Sequence, residues 1–145
     1  MSEKHKGGRP PAYTSAEEIQ EKIDAYFEWC KGEPLLVDGV PATDKYGEPI
    51  IINKHPLTVT GLALALGFNS RTSLLNYQDK PEFMNTIMRA KSVVEQYAEE
   101  RLYDKDGANG AKFSLANNFE GWKEKQQIEA DVNAAVNINI ELSDE

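Results

Sequence analysis

Leu57-Thr58-Val59-Thr60-Gly61-Leu62-Ala63-Leu64-Ala65-Leu66-Gly67-Phe68-Asn69-Ser70-Arg71-Thr72-Ser73-Leu74-Leu75-Asn76-Tyr77 is the stretch that decides the fold. Val59, Leu62, Ala63 and Leu66 recur at helical spacing and form one stripe, so a short helix starts after Thr58. Gly67 supplies its stop, because glycine takes the left-handed conformation that closes a helix. Phe68 to Arg71 reads as a tight turn with an N-cap, and Thr72 to Tyr77 as a second helix with a polar face. Residues 58–78 therefore have the pattern of a helix-turn-helix, which lays its second helix in the DNA major groove. Asn69, Ser70, Arg71, Thr72 and Ser73 stand at the start of that helix, where such units face base edges. Asn76 and Tyr77 follow one turn on, and Lys80 lies just beyond. Arg71 suits a bidentate pair with guanine and Asn76 with adenine, while serine and threonine suit phosphates. The same spacing also fits a helical hairpin in an all-α core with a solvated polar face.

Downstream, Asp79 and Pro81 open a longer helix with core positions Phe83, Ile87, Ala90, Val94, Tyr97 and Leu102. Asp106-Gly107-Ala108-Asn109-Gly110 breaks the pattern, and a short helix over roughly 111–119 follows, carrying Phe113, Leu115 and Phe119. Upstream, Ser15 and Glu18 form a capping box ahead of Ile19, Ile23, Tyr26, Phe27 and Cys30, predicting an amphipathic helix over 15–31 that ends at Gly32 and Pro34. Between these helices the period changes. Leu35, Leu36 and Val37, then Ile50, Ile51 and Ile52, predict two short strands of a β-hairpin within 34–53. A lone hairpin is marginal in water, so it is expected to pack on a helix or on another subunit.

The end of the chain is the most regular part. Val132, Ala134, Val136, Ile138, Ile140 and Leu142 alternate with Asn133, Ala135, Asn137, Asn139 and Glu141, the period of a strand with one apolar face. Ordering these residues costs about as much as burying the larger apolar ones returns, on the order of 10 kcal/mol each way. The strand therefore needs neighbours to pair its ladder groups. Identical strands from sister subunits, closed into a barrel, remove every edge; pairing with the in-chain hairpin is the other solution.

With 145 residues, 40% hydrophobic and 28% charged, the composition is that of a globular protein with one main core. No apolar run approaches the ~20 residues of a membrane span, and the polar N-terminus lacks a secretory signal, so a soluble protein of a reducing compartment is expected. Cys30 is the only cysteine, and it falls on the apolar face of the first helix. His5 and His55 have no metal-ligand spacing, His55 standing before Pro56 in a linker. No phosphate loop, nucleophile elbow or zinc-protease motif is present, so neither catalysis nor a cofactor is expected.

The net charge of −8 is unevenly spread. Residues 54–91 carry Lys54, Arg71, Lys80, Arg89 and Lys91 against Asp79 and Glu82, whereas residues 126–145 hold five acids and no base. Lys4, Lys6 and Arg9 make residues 1–13 a flexible basic arm. Its Lys6-Gly7-Gly8-Arg9-Pro10 is similar to an AT-hook, although Gly7 stands where the hook has an arginine. Such an arm adds phosphate attraction in either form.

Arm, helix, hairpin, helix-turn-helix, long helix and terminal strand follow one another as in the small terminase subunits of podovirus-type tailed bacteriophages, which this chain resembles. The matching stretches are Tyr26-Phe27-Glu28-Trp29-Cys30, Leu57 to Gly67, Leu74-Leu75-Asn76-Tyr77, Arg89-Ala90-Lys91 and Phe113 to Lys123, within about residues 13–126. The resemblance implies a mainly α, non-enzymatic DNA-packaging protein. It implies a homo-oligomeric ring that binds the packaging-initiation region of concatemeric double-stranded viral DNA and recruits the large terminase, the subunit with the ATPase and nuclease. Residues 132–142 then match the intersubunit barrel, and Glu141 to Glu145 the contact with the large subunit. The domain organisation expected is an arm at 1–13, a helical domain at 14–125 and an oligomerisation strand with an acidic tail at 126–145. A dimeric phage transcription regulator with the same helix-turn-helix, and a scaffold that binds no DNA, are the rival readings.

Overall fold

A computed structural model describes residues 13–123. The chain divides into two compact units, Met1–Val94 and Glu95–Glu145. Helices dominate, in the order α1 (Ala16–Cys30), α2 (Val59–Ala65), α3 (Arg71–Gln78), α4 (Pro81–Arg101) and α5 (Ala108–Asn118). Four two-residue strands, β1 (Glu33–Pro34), β2 (Leu36–Val37), β3 (Val40–Pro41) and β4 (Ile51–Ile52), lie between α1 and α2. The basic arm at 1–13, apart from Tyr13, and the terminal strand at 132–142 lie outside the described residues.

In the first unit the apolar stripes converge as their spacing predicts. Ile19, Ile23, Tyr26 and Cys30 of α1, Val59, Leu62 and Ala63 of α2, and Leu74 and Tyr77 of α3 are all buried. Phe83, Ile87, Ala90 and Val94 of α4 are buried as well. The central helix α2 packs against both α1 and α3. Gly67 closes α2 with φ +88°, and the amide of Phe68 then donates back to the carbonyl of Ala63 at 2.9 Å, the signature of a Schellman end. That turn delivers Phe68 to the core and releases the chain toward Ser70, which caps α3 by accepting from the amide of Ser73 at 3.2 Å.

Between α1 and α2 the structure corrects the two-stranded hairpin. β1 pairs with β4, while β2 pairs with β3 across Asp38 and Gly39, both at positive φ in the primed turn that suits a tight hairpin. A third limb, bridged at Thr43 and Pro49, turns around Asp44, whose Oδ1 accepts from the amides of Tyr46 and Glu48. The limbs meet where Leu35 donates to Ile50, Ile50 to Ala42 and Ala42 to Leu35, at 2.8–2.9 Å. Two turn signals in one excursion make it branch. Just beyond its base the amide of His55 donates to the carbonyl of Cys30, the last residue of α1, at 3.0 Å. Leu36, Val37, Val40 and Tyr46 are exposed.

Ala98, Ala111 and Leu115 are buried in the second unit. Tyr97 and Leu102, expected in the core, are only half-buried; the Tyr97 ring instead lies under the Arg101 guanidinium, 4.7 Å from its centroid. α5 starts at Ala108, so Asn109 and Gly110 fall inside the helix instead of breaking the chain before it. First-turn amides need no intrahelical partner, which lets a glycine sit there at little cost.

Candidate nucleic-acid interface

α3 is the element that places the candidate DNA-binding side chains. Leu74 and Tyr77 fix one face in the core, leaving Asn69 and Arg71, Thr72 and Asn76 exposed on the other. Arg71 and Thr72 occupy the first turn, which holds no acidic residue, so the positive end of the helix and the guanidinium add at the same place. Ser70 and Ser73 stand beside them with their hydroxyls 3.1 Å apart, engaged in the cap. Lys80, after the C-cap Asp79, lies over the ring of Tyr77 with its Nζ 4.3 Å from the centroid.

Tyr77 does not present itself beside Asn76 as its position in the sequence suggests. It is buried, stacked on Phe83 at 5.0 Å and tilted against Phe68 at 5.2 Å. Its hydroxyl accepts from the amide of Tyr13 at 3.0 Å, and the Tyr13 hydroxyl donates to the carbonyl of Leu66. Burial, with Glu18 and Tyr77 nearby, raises the Tyr13 hydroxyl above the usual tyrosine range and keeps it a donor. Tyr13 therefore ties the start of the described chain to the turn between α2 and α3; Lys4, Lys6 and Arg9 lie outside the described residues.

One cation was not legible as part of this surface. Lys91 of α4 donates to Oε1 of Gln78 at 3.1 Å, at the end of α3 where Lys80 also stands. The two residues are 13 apart in sequence and on different helices, so no local pattern links them.

The remaining candidates separate from this surface. His55 lies flat on Trp29, with ring centroids 3.8 Å apart, and both line an apolar groove of about 740 Å³ with Tyr26 and Leu64. Cys30 is buried as its position on α1 predicts. Among the described residues no cluster of three metal-ligating side chains occurs, and no helix is long and apolar enough to cross a membrane.

Residues 8–128 match the family model of the DNA-packaging protein gp3. No curated protein matches the chain.

Proposed function

The chain belongs to the family of the DNA-packaging protein gp3, and from that premise we propose that it is a phage small terminase subunit. It recognises the packaging-initiation site on concatemeric viral DNA, and recruits and regulates the large terminase. α2 and α3 act as the helix-turn-helix, with Arg71 and Asn76 reading bases and Asn69, Ser70, Thr72, Ser73 and Lys80 positioning the backbone. Lys4, Lys6 and Arg9 follow the adjacent phosphates. The observation that carries the reading is the polar, acid-free first turn of α3, held outward by a helix whose other face is locked into an aromatic core.

Residues 132–142 assemble the ring, through Val132, Ala134, Val136, Ile138, Ile140 and Leu142 on one strand face. A ring also answers the acidity of the chain, because it repeats a small set of cations at high effective concentration. The protein then works in the host cytoplasm, as an adaptor between DNA and a motor that carries the catalysis.

Native mass spectrometry together with duplex binding tests the whole proposal. A mass many times that of one chain, with duplex affinity lost on substitution of Arg71, is the expected result. A dimer with the same dependence on Arg71 would instead indicate a transcription regulator, and a ring indifferent to DNA would indicate a scaffold.

A further inference from the structure

The second unit carries a surface that the α3 reading does not use. Asn109, Lys112, Phe113, Ala116 and Asn117 fall on one face of α5 at the spacing i, i+3, i+4, i+7 and i+8. With Trp122 and Lys123, which return beneath the helix end, they line a hollow of about 490 Å³. The opposite face, through Ala111 and Leu115, is the buried one. Phe113 is 72% exposed at the centre of the stripe, an unusual place for a phenylalanine. Among the described residues no carboxylate lines the hollow; its charged and amide side chains are two lysines and two asparagines.

Aromatic faces flanked by cations and amides suit a nucleobase that has left its stack. The ring takes the base face, lysines take the phosphates on either side, and amides meet base edges without demanding one sequence. A paired base inside a duplex cannot offer its face to a side chain, so this chemistry selects an unpaired strand. Phe113 and Trp122 supply two aromatic planes within one hollow, and Lys112 and Lys123 supply two charges at its rim. From this arrangement we infer that the α5 face is a single-stranded DNA site, distinct from the duplex surface on α3.

Trp122 reports on the site directly once the other tryptophan is replaced, since Trp29 and Trp122 are the two in the chain. Full-length protein carrying Trp29→Phe is titrated with an oligothymidylate of about 16 nucleotides and, separately, with a duplex. The oligothymidylate quenches Trp122 emission and the duplex does not. Phe113→Ala weakens oligothymidylate binding by about tenfold or more, and its surface position leaves the circular dichroism unchanged. Lys112→Gln with Lys123→Gln lowers the logarithmic salt slope by about 1.4, the value for two phosphate contacts on a single strand. Arg71→Ala leaves these results untouched while it weakens duplex binding, which separates failure of this inference from failure of the α3 reading. Absence of quenching by the oligothymidylate, or binding indifferent to both the Phe113 and lysine substitutions, would overturn the inference. So would tighter binding of a peptide of residues 131–145, which would assign the hollow to the acidic tail.

Discussion

Glu18 shows how a single side chain fixes the start of the fold. Its Oε2 accepts from both the amide and the hydroxyl of Thr14, at 3.0 and 2.9 Å, while its own amide donates to Ser15 Oγ. These bonds, the amide of Thr14 foremost, and Lys22 hold its carboxyl below the usual glutamate range. A carboxyl depressed in the folded state adds stability that is present at neutral pH and is lost as pH falls through that lowered value. Glu18→Gln is therefore expected to melt below the parent at pH 7, and the two curves should converge in acid; equal melting temperatures at pH 7 would exclude a stabilising role for the carboxylate charge. At the same scale, Arg71→Ala should cost duplex recognition about 1–3 kcal/mol, as loss of a bidentate base contact does, while the protein keeps a cooperative melting transition. Isothermal titration with a cognate duplex measures the first and calorimetry the second.

At the scale of the elements, α1 and α2 meet closely at Gly61. A β-carbon there would run into the Tyr26 hydroxyl and lie 2.7 Å from Thr58 Oγ1. The same Tyr26 hydroxyl accepts from the amide of Thr58 at 3.2 Å, so it has little room to retreat. Burial, foremost among its causes, raises that hydroxyl above the usual tyrosine range. Gly61→Ala gains intrinsic helix propensity but forces the two helices apart, and a net destabilisation of about 1–3 kcal/mol is expected in chemical denaturation. A stabilised variant would show that the contact yields. Leu74→Ala, at a fully buried position of α3, should cost about 2–5 kcal/mol and carry duplex binding down with it, because the cavity loosens the helix that aims Arg71.

For the whole chain, the proposed function makes charge and assembly the terms that set the strength of DNA binding. Few cations serve each copy, so affinity in the assembled state is expected to fall steeply with salt, about 0.9 logarithmic units per phosphate contact on a duplex. Removal of residues 131–145 should reduce the native mass to a small species and flatten that dependence, with the weak affinity of each α3 retained. A truncated chain of unchanged mass would place assembly elsewhere, and salt-independent binding by the full chain would exclude the basic surface.

Helices α1 to α4 and most of their buried residues were legible, Tyr97 and Leu102 excepted, because each helix buries a stripe whose period the side chains state locally. Ser15, Thr58, Ser70 and Gly67 mark their ends through capping groups that lie within a few residues of the bonds they make. The family resemblance was legible for the same reason, as an order of such local signals. What the period does not encode is which polar side chains share one surface. The bond from Lys91 to Gln78 joins two helices, and the tie of Tyr13 to Tyr77 and to the turn before α3 spans more than fifty residues. The branched hairpin was missed because three short limbs close on one another at Leu35, Ala42 and Ile50, a junction that no two-strand alternation records. Residue spacing alone thus determined the helices and their capped ends. Tertiary packing decided which polar side chains of different segments come to share one surface, because such contacts are fixed by neighbours that local sequence does not name.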